Sequence, residues 1–219
     1  MSISSQGIYQ ADILSKTNPK KGNGQWNLLI IAVDKLTAPQ PTLIGLWLVI
    51  TSPGNSNLTL VPIYPTSNLP SGLKNIAWQE AFSINQKQKL NADFLEVLSE
   101  HLLWDEYLMV DSNDIETILD QFTQNKLMFM ANSTPEGDES VDRLNIDRNL
   151  DRQIEIWQAV CGELNTKSDS NELANWIDQI EPYVHTSFEL NGLPHLQNIQ
   201  ANTHSQFTCE FPTLALNTP

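Results

Sequence analysis

Three apolar segments in close succession constrain this chain more than any other feature: Trp26 to Asp34 (WNLLIIAVD), Leu43 to Thr51 (LIGLWLVIT) and Asn57 to Tyr64 (NLTLVPIY). The first two are continuous runs rich in Ile, Leu and Val, the pattern of strands covered on both faces. The link Pro53-Gly54-Asn55-Ser56 between the second and third is short and turn-rich, which predicts a hairpin and therefore a mixed sheet.

Cover for such strands comes from segments with helical spacing. Phe94, Val97, Leu98 and Leu102 fall on one helical face, with Asn91 as the expected cap. A short strand is expected at Glu106 to Val110. Asp111-Ser112-Asn113 then offers cap chemistry to a helix whose apolar face is Ile115, Ile118, Leu119 and Phe122. From Ile146, a further helix carries Leu150, Ile154, Trp157, Cys161 and Leu164, and another runs from about Asn171 to Ile180. Gln206 to Phe211 reads as a final strand, and Gly7 to Leu14 as an edge strand in a polar N-terminal extension, residues 1–25. Strand and helix signals alternate without a repeat period. The expected fold class is α/β, a mixed central sheet flanked by helices, in a single domain over residues 26–219.

Composition removes several functions. Of 219 residues, 12 are Lys or Arg and 26 are Asp or Glu, a formal charge of -14. Such a surface repels phosphate backbones, so no nucleic-acid partner is expected. The longest apolar run, Leu43 to Thr51, is far short of the roughly 20 residues that span a bilayer, so no transmembrane segment is expected. Met1-Ser2-Ile3-Ser4-Ser5 does not open a signal peptide. The expectation is a cytosolic protein, or a chain whose anchor lies upstream. Cys161 and Cys209 are two free buried thiols or a disulfide tying a helix to a late strand, and the latter implies an oxidising compartment.

Motifs for common chemistries are missing. His101, His185, His195 and His204 form no HxxxH or HExxH pair, and no CxxC accompanies them. Glu136, Asp138, Glu139 and Asp142 lack the frame of a calcium loop. There is no GxSxG elbow, GxxxxGK[ST] or GxGxxG.

Block order carries the remaining signal. WNLLIIAVD, then LIGLWLVITSPGNSNLTLVPIYPTS, then EYLMVDSNDIETILDQ (106 to 121), then DRNLDRQIEIWQAVCGEL (147 to 164), and a late helical block ELANWIDQIEPYVHTSFEL (172 to 190) follow one another. In that order, over roughly residues 26 to 212, the chain resembles the LytR-CpsA-Psr domain, also called the cell envelope-related transcriptional attenuator. The resemblance implies an extracytoplasmic phosphotransferase that moves a glycopolymer from a polyprenyl-pyrophosphate carrier to the cell wall. It also implies a lipid tunnel between sheet and helices, arginines that clamp the pyrophosphate, and aspartates that hold magnesium. The implied partners are a polyprenyl phosphate lipid, an envelope glycopolymer, or a protein of envelope assembly.

That chemistry needs cations, because a pyrophosphate is multiply charged and more charge develops during transfer. The chain departs from the family here. Gly-x-Asp-x-Arg after the first strand reads Ala32-Val33-Asp34-Lys35-Leu36; Asp34 remains as the candidate metal ligand and Leu36 stands where arginine is expected. Arg-Ser-Asp-Thr entering the second strand reads Thr42-Leu43-Ile44-Gly45, Pro-Arg-Asp after the third reads Tyr64-Pro65-Thr66, and Tyr-x-Arg-x-Arg reads Phe129 to Ser133. Arg-x-x-Arg-Gln is partly kept as Asn149-Leu150-Asp151-Arg152-Gln153, with Arg148 one place off. The candidate substrate-binding residues are therefore Lys35, Arg148, Arg152 and Gln153, with magnesium expected only where Asp34 can hold it. For Asp34 the plain alternative is a polar strand end, and for Arg152 an ion pair with Glu155 or Asp151. Each lost charge-assisted hydrogen bond removes about 1.5–3 kcal/mol. Three readings follow: a catalytically degenerate member with a binding or scaffolding role, an active transferase or hydrolase with a rewired site, and an interaction module whose tunnel is filled by Trp47 or Trp78.

Overall fold

The expected strands and helices assemble around one sheet, as seen in a computed structural model that describes residues 24–51, 57–66, 76–85, 89–111, 150–162, 184–187 and 208–212. The strands are β1 (Trp26–Val33), β2 (Leu43–Thr51), β3 (Asn57–Tyr64), β4 (Glu106–Asp111), β5 (Val184–Thr186) and β6 (Thr208–Glu210), and the sheet order is β5-β4-β1-β2-β3-β6. β1, β2 and β3 form an antiparallel meander, whereas β1 with β4 and β3 with β6 pair in parallel. The sheet is mixed, as the hairpin signal required.

All eight residues of β1 are buried, because each face of the sheet carries its own apolar layer. Leu29, Ile31 and Val33 point into one layer with α1 (Trp78–Ala81) and α2 (Ala92–His101), where Phe94 and Leu98 are fully enclosed. Trp26, Leu28, Ile30 and Ala32 point into the other, against Leu150, Ile154, Trp157 and Cys161 of α3 (residues 150–162). Strand alternation thus sends consecutive residues to opposite cores.

The buried amide of Asn27 in the first layer is fully bonded. Asn27, wholly enclosed, donates from Nδ2 to the Leu103 carbonyl at 2.8 Å, and its own N–H reaches Asp105 Oδ2 at 2.7 Å. Its Oδ1 accepts from Gln25 Nε2 at 2.8 Å. This network pins the α2–β4 connection to the start of β1, as a buried amide requires.

Several sequence expectations change. Asn91 stands at the N-cap of α2, yet its side chain makes no capping bond; Nδ2 donates to Ser83 Oγ at 3.0 Å, tying the helix start to the preceding turn. Asp111, expected with Ser112 and Asn113 as a helix cap, is the buried last residue of β4. Residues 184–186, read within a late helical block, form β5 against Leu108–Val110. Pro182 disfavours helix in the residue before it, and β-branched Val184 and Thr186 fit a strand. Cys161 and Cys209 are not free thiols but a disulfide, Cα–Cα 6.2 Å, which joins α3 to β6. The expected final strand is confined to Thr208–Glu210 among the described residues. The expected edge strand at 7–14 and the helices at 115–122 and 171–180 lie outside the described residues. No described helix is long and apolar enough to cross a membrane.

Candidate functional site

β1 and β4 end side by side, with Val33 opposite Asp111. β2 begins there and β3 finishes there, since Ala32 pairs with Gly45 and Leu46 with Tyr64. This end of the sheet therefore gathers Asp34, Lys35, Asp111, the Leu43–Gly45 entry and Tyr64-Pro65-Thr66, whose Tyr64-Pro65 bond is cis.

Asp34 is half-buried and works on the β1–β2 connection. Its Oδ1 accepts from the backbone N–H of Lys35 and of Thr42, both at 2.7 Å, while its own N–H donates to the Thr42 carbonyl at 3.0 Å. Asp111 Oδ2 accepts from the Leu36 N–H at 3.0 Å, so a second carboxylate holds the same loop from the neighbouring strand. Leu36 is buried in the first core layer rather than turned toward this end. The Lys35 side chain is exposed. Magnesium takes near-octahedral oxygen ligation, and Asp34 Oδ1 already accepts two amide bonds. Among the described residues, no three His, Cys, Asp or Glu side chains group together.

On the other face, α3 arrives at the same end. The register of β1 and β2 skips Ile44, a bulge that leaves Gly45 opposite Ala32. Gln153, 4% exposed, lies directly on Gly45: a Cβ placed there would stand 2.9 Å from Gln153 Oε1. That oxygen accepts from Trp47 Nε1 at 2.5 Å, and Nε2 approaches the Ile44 carbonyl at 3.4 Å. Trp47 stacks obliquely on Trp157, ring centroids 6.1 Å apart. Gln153, Trp47 and Trp157 thus pack together between α3 and β2. Arg152, next to Gln153, is half-buried. Arg148 lies outside the described residues.

Tyr64 closes the end from the first layer. Burial pushes its phenol above the usual tyrosine value, and a hydrogen bond with the Gln79 side chain on α1 offsets part of that rise. Trp78, also on α1, is 3% exposed and its indole N–H has no hydrogen-bond partner among the described residues.

The structure therefore brings Asp34, Lys35 and Gln153 to one end of the sheet, on two sides of it. Sequence reading missed Asp111, because a strand end followed by Ser and Asn looks like a helix cap. It also missed the Gly45–Gln153 contact, for which a glycine within an aliphatic run is the available signal.

This architecture is the LytR-CpsA-Psr fold. It is similar to that of a LytR-Csp2A-Psr enzyme from Actinomyces oris, with a TM-score of 0.58 and 10% identity over 92% of this chain and 84% of that one. Protein gbs0355 from Streptococcus agalactiae gives 0.57 and 11%, covering 85% and 76%. TagV from B. subtilis gives 0.54 and 15%, covering 88% and 86%. At such identities the likeness is one of fold. No protein-family model and no curated protein matches the sequence.

Proposed function

We propose that this chain is a binding or scaffolding domain of cell-envelope assembly that has kept the LytR-CpsA-Psr fold and lost its transfer chemistry. One observation carries this reading: the polar groups at the end of the sheet are spent on the protein itself. Asp34 Oδ1 holds two backbone amides, Gln153 holds Trp47, and Leu36, standing where the resemblance expects an arginine, is buried. Among the described residues, the cations that a pyrophosphate could meet near this end are Lys35 and Arg152, and one arginine is fewer than the several forks that its charge demands. Asp34 then serves as the loop's anchor rather than as a magnesium ligand.

The Cys161–Cys209 disulfide supports a place outside the reducing cytoplasm. The burial of Trp47 and Trp78, one in each apolar layer, favours a protein partner over a lipid chain threaded through the core.

The test is native mass spectrometry of the purified chain with a polyprenyl phosphate, with and without magnesium, beside an assay for transfer from a polyprenyl-pyrophosphate-linked glycan. The expected result is no turnover and no magnesium-dependent adduct. Turnover refutes the reading and restores a rewired transferase; a retained lipid without turnover makes the domain a carrier-lipid binder.

A further inference from the structure

Strand β6 meets the sheet along a short ladder, and Cys209 and Phe211 pack beside it against the second layer. It pairs with β3 over three residue pairs, Asn57 with Thr208, Leu58 with Cys209 and Thr59 with Glu210. The side-chain bond from Asn57 Nδ2 to Glu210 Oε1, 3.2 Å, accompanies them. So short an edge strand is marginal by itself. The covalent tie, which does not depend on this ladder, is the disulfide from Cys209 to Cys161. Helix α3, in contrast, has anchors that do not involve sulfur: Gln153 on Gly45 and Trp47, Trp157 against Trp47, and Leu150 and Ile154 in the second layer. The pairings from β5 through β3 are made without β6.

We propose that the Cys161–Cys209 disulfide is a redox latch that keeps β6 on the β3 edge, and that its reduction frees both the strand and that edge. Cys209 is half-buried on the outermost strand, whereas Cys161 is buried on the inner side of α3, so Cys209 is the more open of the two to attack. An external dithiol supplies the two electrons. Its first thiolate attacks Cys209 Sγ and releases the Cys161 thiolate, which takes up a proton. Its second thiol then displaces Cys209, which is protonated in turn, and the dithiol leaves as its own disulfide. With β6 released, the backbone donors and acceptors of Asn57–Thr59 that faced it become an open strand edge. Reoxidation returns β6 to the edge.

Hydrogen exchange of the full chain, oxidised and after treatment with a dithiol under native conditions, tests this. In the reduced protein, amides of Thr208–Glu210 lose protection by roughly tenfold or more, while amides of β1 remain protected. The variant carrying both Cys161→Ala and Cys209→Ala behaves like the reduced protein and no longer responds to dithiol. Should that variant fail to fold, the reduced wild-type chain supplies the same comparison. Loss of protection in β1 together with β6 refutes the latch, because the bond is then a staple for the whole fold. Unchanged protection at β6 refutes it too, as does a disulfide that resists the dithiol until the chain unfolds.

Discussion

Replacing Gly45 with alanine tests how α3 is seated on the sheet. The backbone at Gly45 is not in the left-handed region, so the methyl group brings no dihedral strain. The new Cβ would stand 2.9 Å from Gln153 Oε1 and 3.3 Å from its Cδ and Nε2, closer than carbon tolerates, and Gln153 must withdraw. Its withdrawal leaves the indole N–H of Trp47, a residue 2% exposed, without its acceptor. An unsatisfied buried donor costs about 1–3 kcal/mol, and removing a glycine from a strand returns about 0.5–1 kcal/mol. The net loss is about 1–2 kcal/mol, or roughly 2–8 °C in Tm for a chain of this length. Gln153→Ala already forfeits the indole bond and clears the space, so adding Gly45→Ala to it costs nothing further or stabilises slightly. Urea denaturation of the four proteins, with m-values held equal, gives a coupling energy of about 1–2 kcal/mol between the two sites. Additive effects, with coupling below about 0.5 kcal/mol, refute the claim that Gln153 seats the helix by lying on Gly45.

Three further outcomes are expected. Tyr64 and Tyr107 both have phenols raised above 10.0 by burial; the unfolded chain therefore loses those protons first. The stability they contribute is complete below about pH 10 and falls as pH climbs through their native values, which a pH series of denaturation midpoints with tyrosinate absorbance will follow. Asp34→Asn keeps an oxygen for the Lys35 and Thr42 amides and should change stability by less than about 0.5 kcal/mol, whereas Asp34→Ala should cost about 1–2 kcal/mol; equal losses in thermal melts would contradict the loop-anchor role. Breaking the disulfide frees β6 in the folded chain as well as in the unfolded one, so the loss of stability should stay well below the roughly 4 kcal/mol that loop entropy assigns to a separation of 48 positions in an unchanged fold, and denaturant midpoints with and without reductant measure it.

The sequence by itself determined the strands β1, β2 and β3 and the apolar face of α3. The runs WNLLIIAVD and LIGLWLVIT have too few polar residues to face water on either side, so they must lie between two covered faces, whatever the topology. Leu150, Ile154, Trp157 and Cys161 carry the helix period for the same reason, since burial imposes a spacing that composition alone displays.

What only the tertiary structure decided concerns pairs distant in the chain. Asp111 reads locally as a cap, but Leu36 N–H, 75 positions away, makes it a loop clamp at a strand end. Val184–Thr186 becomes a strand because β4 offers an edge, in a stretch whose neighbours carry a helical pattern. The pairing of Cys161 with Cys209 waited on the parallel register of β6 beside β3. Gln153 sits in a motif where the resemblance implies a substrate ligand, yet its amide is spent on Trp47 once the bulge at Ile44 presents Gly45 beneath it. Hydrophobic period is written along the chain and can be read there; hydrogen-bond partners are chosen by proximity in space, and proximity exists only after folding.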